Sequence, residues 1–208
     1  MDAMVKTVQD AVLGEGSGAS IRLNPNFRYL RVTIGSRVVF LALGNEDSHL
    51  QGPIEVWYSA EREVLRLQNG RIVGAVGLTT EWRNVVLPEL PSWSAIARAQ
   101  DPVPWVRIRD VMPGYRFGVR DKLVLRVLPP PRNSALQGPD PQSLNWFEEQ
   151  LQPDSLAQFP ATLFTSLAVD SGLRPARYAV DLREGKETVV YGEQCLAPDL
   201  CFSWQRWQ

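Results

Sequence analysis

Between Pro53 and Leu78 the hydrophobic and polar positions change pattern twice. Ile54, Val56, Trp57 and Tyr58 form a short apolar run of β-rich composition, and Ser59-Ala60-Glu61 is small and polar enough to turn. From Glu63 to Gln68 the chain alternates, with Leu65 and Leu67 on one face and Val64, Arg66 and Gln68 on the other. A period of two is a strand signal. Asn69-Gly70 follows at once. Asn-Gly tolerates positive φ at both central positions of a type I′ turn, so the chain reverses there and Arg71 to Leu78 returns as a strand.

The flanking sequence extends this meander. Phe27 to Ile34 is rich in β-branched and aromatic residues, and Gly35-Ser36 is a type II′ hairpin signal. Arg37 to Leu43 is almost continuously apolar, which predicts a central strand buried on both faces. His49, the only histidine, falls in the following loop and is read as a bystander. Thr79 to Ser94 changes character, because Pro88 and Pro91 break regular structure; a crossover loop is expected, with a helical turn at Trp93–Ala99.

A second β block spans Val103 to Leu128. Met112-Pro113-Gly114-Tyr115 reads as a type II turn, and Asp121-Lys122 as a second reversal. Tyr115, Phe117 and Val119 share a face. Pro129 to Pro141 is a proline-rich connection, expected to be semi-extended and exposed. Ser143 to Gln150 admits a short amphipathic helix capped by Ser143. Strands are expected again at Ala161–Val169, Arg177–Leu182 and Glu187–Tyr191, with a hairpin at Arg183–Lys186. In the last stretch, an extended Phe202 and Trp204 share one face and Trp207 takes the other. Residues 1–20 form either a short helix over 2–15 or a disordered tether, closed off by Gly14 and Gly16-Ser17-Gly18.

These elements predict one all-β domain over residues 21–208, with roughly ten antiparallel strands arranged as a β-sandwich or an incompletely closed barrel. A chain of 208 residues suits one such domain. Folding at this size buries roughly 70% of the unfolded surface, so the core needs no metal or disulfide staple.

Several stretches resemble the bacterial YjbF/GfcB family of lipoproteins. They are NPNFRYLRVTIGSRVVFLALG (24–44), GPIEVWYSA (52–60), EVLRLQNGRIVGAVGLTTEW (63–82), LNWFEEQ (144–150) and VVYGEQCLAPDLCFSWQRW (189–207). Members of that family are linked to exopolysaccharide production and group 4 capsule assembly. The resemblance covers most of the chain, but its motifs are not catalytic and supply no molecular activity. It implies a signal peptide ending in a lipid-modified cysteine and a place on the periplasmic face of the outer membrane. The chain opens Met1-Asp2-Ala3 with neither, so a truncated, soluble form of a lipid-anchored precursor is expected, touching the membrane only through that anchor. The expected partners are capsule or exopolysaccharide export proteins of the same pathway. In an oxidising periplasm, Cys195 and Cys201 read naturally as a disulfide; the alternative is two buried thiols. One histidine and this pair are too few ligands for zinc.

Charge narrows the field. The net charge of -1 gives no electrostatic case for nucleic acid or a membrane surface. No stretch approaches 18 consecutive apolar residues, so no transmembrane helix is expected. Apart from Lys6, Lys122 and Lys186, all the basic residues are arginines. Codon bias accounts for such a choice; so does contact with an acidic polysaccharide, which planar guanidinium groups suit. Arg107, Arg109, Arg116, Arg120, Arg126 and Arg132 crowd the second β block, where Asp110 and Asp121 are the only acids. Alternation pairs Arg107 with Arg109 and Arg116 with Arg120. Were those faces to coincide, they would make a basic stripe for glycan or partner, the alternative being a solvated sheet face. Trp204 and Trp207 are further candidates for stacking on sugar rings, although most of the seven tryptophans are expected in the core.

An enzyme would need converging carboxylates or an activated nucleophile. Asp110, Glu148 and Glu149 are the candidates, but adjacent glutamates point apart and cannot flank one bond together. There is no G-x-S-x-G, no glycine-rich phosphate loop before a lysine, no histidine pair and no fixed-period repeat. The reading is therefore a non-enzymatic domain without cofactor or metal, which binds glycan or docks export proteins. A glycan-modifying enzyme and a pure scaffold are the alternatives.

Overall fold

The computed structural model describes residues 12–13, 22–152 and 172–207. The expected strand Ala161–Val169 and nearly all of the 1–20 tether lie outside the described residues. Within the tether region, β1 (Val12–Leu13) pairs with β2 (Arg22–Leu23) in a two-residue ladder rather than continuing a helix.

Twelve further strands follow in meander order: β3 (Tyr29–Ile34), β4 (Arg37–Asp47), β5 (Ile54–Tyr58), β6 (Val64–Gln68), β7 (Arg71–Val76) and β8 (Glu81–Val86), then β9 (Val103–Met112), β10 (Arg116–Leu128), β11 (Asn145–Leu151), β12 (Ala176–Asp181), β13 (Thr188–Ala197) and β14 (Leu200–Trp207). Each pairs antiparallel with its sequence neighbour. The last pairs with the first, Trp204 opposite Val32, so the sheet closes into a barrel. The all-β expectation holds, and closure is complete rather than partial. Closure removes the unpaired strand edges that an open sheet would expose.

The turns are where the residues require them. Asn69 and Gly70 both have positive φ, 48° and 74°, and Gln68 pairs with Arg71 across them. A Cβ at Gly70 would lie 2.3 Å from the Val189 side chain, so the site needs glycine for space as well as for φ. At the β9–β10 turn both Gly114 and Tyr115 have positive φ.

A barrel of about eight strands is just filled by ordinary side chains, and twelve leave a wider interior. This one is filled by long ones. Trp57, Trp82, Trp105 and Trp204 project inward among Leu30, Leu41, Leu65, Leu67, Phe147 and Tyr178. The end that carries the β6–β7 turn is plugged by α1 (Trp93–Arg98). Ser92 caps this short helix, and Glu187 accepts the exposed N–H groups of Trp93 and Ser94. Trp93 reaches into the barrel, its ring 5.0 Å from both Phe147 and Tyr178, and its indole N–H donates to the Asn69 carbonyl.

Several expectations are corrected. The crossover loop begins later than expected, because Glu81–Val86 is a strand; a register shift between Trp82 and Asn84 interrupts its alternation. Asp121-Lys122 is not a turn: β10 runs through it, and Asp121 points inward to two arginines. Asn145–Leu151 is a strand and not a helix; the helical turn there is limited to Pro141–Ser143 and is capped by Asp140. β4 is not buried on both faces, since Val38 is exposed and Val39 and Phe40 are half-buried. The proline-rich connection is largely exposed, as expected, and is tied to the outer wall at a few points. There Ala135 N–H donates to the Tyr191 hydroxyl, and Gln137 exchanges two hydrogen bonds with Gln205. Leu144, Trp146, Ala179 and Tyr191 form a small apolar cluster on that wall, with Leu136 packed against it.

Candidate functional site

The densest chemistry lies inside the barrel. Alternation along β9 points Trp105, Arg107, Arg109 and Val111 inward. Cross-strand pairing brings Asp121 opposite Arg107. The Asp121 carboxylate accepts from Arg107 Nε at 2.9 Å, from Arg109 Nε at 2.7 Å and from Arg109 Nη2 at 3.1 Å. Arg107 Nη1 reaches on to Glu149 at 3.1 Å. The rings finish the cage: Arg107 and Arg109 lie 4.5 and 4.8 Å from the Trp82 ring centre, and the Trp82 indole is held by the Leu196 carbonyl. Guanidinium over indole is a favourable electrostatic contact, more so when desolvated.

Arg71, just after the Asn69-Gly70 turn, joins the same interior. Its guanidinium sits 3.8 Å from the Trp93 ring and 5.3 Å from the Trp105 ring, and Nη2 donates to the Pro91 carbonyl. Among the described residues its Nε and Nη1 have no hydrogen-bond partner, and the two rings are their main compensation.

The network splits its two carboxyls. Burial alone would raise Asp121, but Arg107 and Arg109 outweigh it and hold the group below the usual carboxylate range. For Glu149 burial wins over Arg107 and Arg71, and the carboxyl is raised. Burial likewise lowers Arg71 to about 10, against the pull of Glu149 and Glu187, and pushes the Tyr178 hydroxyl up. Two carboxyls pushed apart are a pattern that acid–base sites share, but substrate needs room. The cavity beside Arg107, Glu149 and Gln194 is about 10 Å³, enough for about one water molecule. The arrangement can brace the barrel wall from within.

The predicted site residues therefore separate. Arg107 and Arg109 do share a face, but that face is the interior, where a partner outside the barrel does not reach them. Arg120 is exposed on the outer wall opposite Ile108, and Arg116 is half-buried opposite Val111. The four do not form one stripe. Trp204 is interior, its ring seated on Gly192, where a Cβ would come within 2.3 Å of it. Trp207 is half-buried on the outer wall, 5.9 Å from the Phe40 ring and 5.8 Å from the Arg31 guanidinium. Cys195 and Cys201, opposite each other on β13 and β14, form a disulfide. Asp110 points away from the network and accepts the Gly118 N–H. Glu148 and Glu149 face opposite sides, as adjacent strand residues must. Arg71 and Tyr178 had no local signal, since their partners come from distant strands.

The architecture is thus an antiparallel barrel with a braced, filled interior. A family model described as group 4 capsule polysaccharide lipoprotein gfcB, YjbF matches residues 19–159, more than half of the chain, and the chain belongs to that family. Among solved structures it is similar to the crystal structure of the hypothetical lipoprotein YmcC from Escherichia coli (K12), with a TM-score of 0.56 and 12% identity, covering 99% of this chain and 88% of that one. At that identity the likeness shows the fold. A comparison with curated proteins finds no match.

Proposed function

We propose that the protein acts without covalent chemistry at the periplasmic face of the outer membrane, lipid-anchored in its precursor, in assembly or export of a capsular or secreted polysaccharide. Its outer surface engages the glycan or the partner export proteins. The observation that carries this reading is the family match over residues 19–159. The barrel supports the mode of action. Its inward charges are taken up by one another and by the Trp82, Trp93 and Trp105 rings, so recognition falls to the outer wall and the ends. Asp110, Glu148 and Glu149, the acids an enzyme would need, face three different surroundings and do not converge.

The test is co-purification from outer membranes with the lipid anchor restored, analysing both protein and glycan, beside a deletion strain. The expected result is loss of surface polysaccharide on deletion and recovery of glycan or export proteins with the anchored protein. Normal surface polysaccharide in the deletion strain contradicts the proposal.

A further inference from the structure

At the hairpin end of the barrel, away from α1, a cleft of about 320 Å³ opens between the β7–β8 turn and the β9–β10 turn. Leu78, Thr79, Glu81 and Arg83 line one side; Met112, Pro113 and Tyr115 line the other. Its volume is on the order of the ~300 Å³ at which small-molecule sites begin.

Two features give the cleft a direction. The first is Tyr115. It is 77% exposed, and among the described residues its ring packs on no other ring and its hydroxyl makes no hydrogen bond. Its φ is +52°, a conformation uncommon for a bulky non-glycine residue. An aromatic ring held out at a hairpin tip, beside an exposed Phe117, offers a flat apolar face to solvent.

The second is the Glu81–Arg83 pair. Glu81 Oε1 accepts the Gly77 N–H and Oε2 accepts Arg83 Nε, both at 2.9 Å. The Gly77 N–H is the main reason its carboxyl is held below the usual range. Arg83 is thereby anchored by Nε alone. Its two terminal nitrogens have no partner among the described residues, and its side chain is 60% exposed. The cleft so presents an aromatic platform, a fixed fork of N–H donors, and carboxylate lone pairs still able to accept hydroxyls.

We propose that this cleft binds a carboxylate-bearing sugar residue of a polysaccharide. The C–H face of the ring lies on Tyr115, its carboxylate meets the terminal nitrogens of Arg83, and hydroxyls reach Glu81 and Thr79. The proposal rests on the glycan reading above and locates it. A neutral sugar satisfies the platform and leaves the guanidinium fork unused; an aliphatic partner satisfies neither the fork nor Glu81.

The test uses polysaccharide purified from the surface of the strain that makes the protein, with oligogalacturonate and maltohexaose as acidic and neutral probes. Tyr115→Gly is the main variant, because glycine accepts the left-handed backbone without strain; Arg83→Gln is the second. Thermal unfolding checks that both stay folded. The expected result is that wild type binds the native polysaccharide and oligogalacturonate more tightly than maltohexaose. Tyr115→Gly weakens both acidic ligands at least tenfold. Arg83→Gln weakens them about fivefold, abolishes the preference over maltohexaose and flattens the salt dependence. Equal binding by wild type and Tyr115→Gly overturns the proposal, and so does a wild type that binds no acidic glycan. Loss of secretion in a Tyr115→Gly strain, when the wild-type protein binds none of these glycans, assigns the hairpin to a protein partner. That outcome overturns the sugar site while leaving the role in polysaccharide export standing.

Discussion

Glu148 and Glu149 are neighbours on β11, and each is paired with an arginine of the same two-hairpin region. Glu148 faces out. It takes Arg126 from β10 at 2.5 Å and Arg177 from β12 at 3.6 Å, and the Arg126 side chain is 56% exposed. Glu149 faces in, with Arg107 at 3.1 Å and almost no solvent on either partner. The chemistry is the same and the consequences differ. The Glu148 side chain is itself only 9% exposed, but its partner Arg126 stands in solvent, which screens the outer pair from that side. A long side chain must also be held in place, so the outer pair gains less. Inside, a charge that loses its partner is left uncompensated in a low-dielectric space, and the loss is large. The face of the strand decides whether an arginine here braces the barrel or decorates it.

The largest break in that contrast is Asp121, which holds two buried guanidinium groups. Asp121→Ala is expected to lower unfolding stability by about 3–5 kcal/mol, measured by urea or thermal denaturation. Its contribution depends on pH. Burial pulls the carboxyl up, but Arg107 and Arg109 pull it further down, so its folded value lies below the unfolded one. Stability from this group is therefore present above its unfolded value, about 3.9, and is lost as pH falls through the folded value. Wild type should lose stability on acidification below about pH 4 more steeply than Asp121→Asn.

The disulfide is next. Replacing Cys195 and Cys201 together by serine should cost about 2 kcal/mol, because the closed loop is very short. Reducing agent should produce the same shift in wild type and none in the variant.

Glu149 gives a smaller effect with the opposite pH sense. Burial raises its carboxyl despite Arg107 and Arg71, so its favourable contribution is present at low pH and declines as pH rises toward the folded value. Glu149→Gln should destabilise less than Asp121→Asn. Its stability relative to wild type should improve as pH rises from about 4 toward neutrality. A variant whose relative stability falls over that range would show that Arg107 dominates burial at this position.

What could be read from the residues was local. The Asn69-Gly70 reversal, the inward pair Leu65 and Leu67, the helical turn at Trp93 and the opposite faces of Trp204 and Trp207 all follow from spacing and turn chemistry. Alternation also showed that Arg107 and Arg109 share a face. It could not show which face, because the sign is set by Asp121 on the next strand and Glu149 on the one after. The same missing partners made Asp121-Lys122 look like a turn, since an acid in mid-strand has no local reason to be buried. Glu81–Val86 was missed for another reason: the irregularity between Trp82 and Asn84 breaks the period of two. The apolar run Trp146-Phe147 followed by two glutamates mimics an amphipathic helix because one ring lies under the proline-rich connection and the other in the core. Closure itself depends on β14 meeting β3 from the far end of the chain, and no local pattern encodes that.

The most direct measurement is a pair of double-mutant cycles on unfolding stability, Arg107 with Asp121 inside and Arg126 with Glu148 outside. The expected coupling is at least about 2 kcal/mol for the inner pair, little changed in 1 M salt, and no more than about 1 kcal/mol for the outer pair, falling with salt. Equal couplings, or an inner coupling that salt removes, would contradict it.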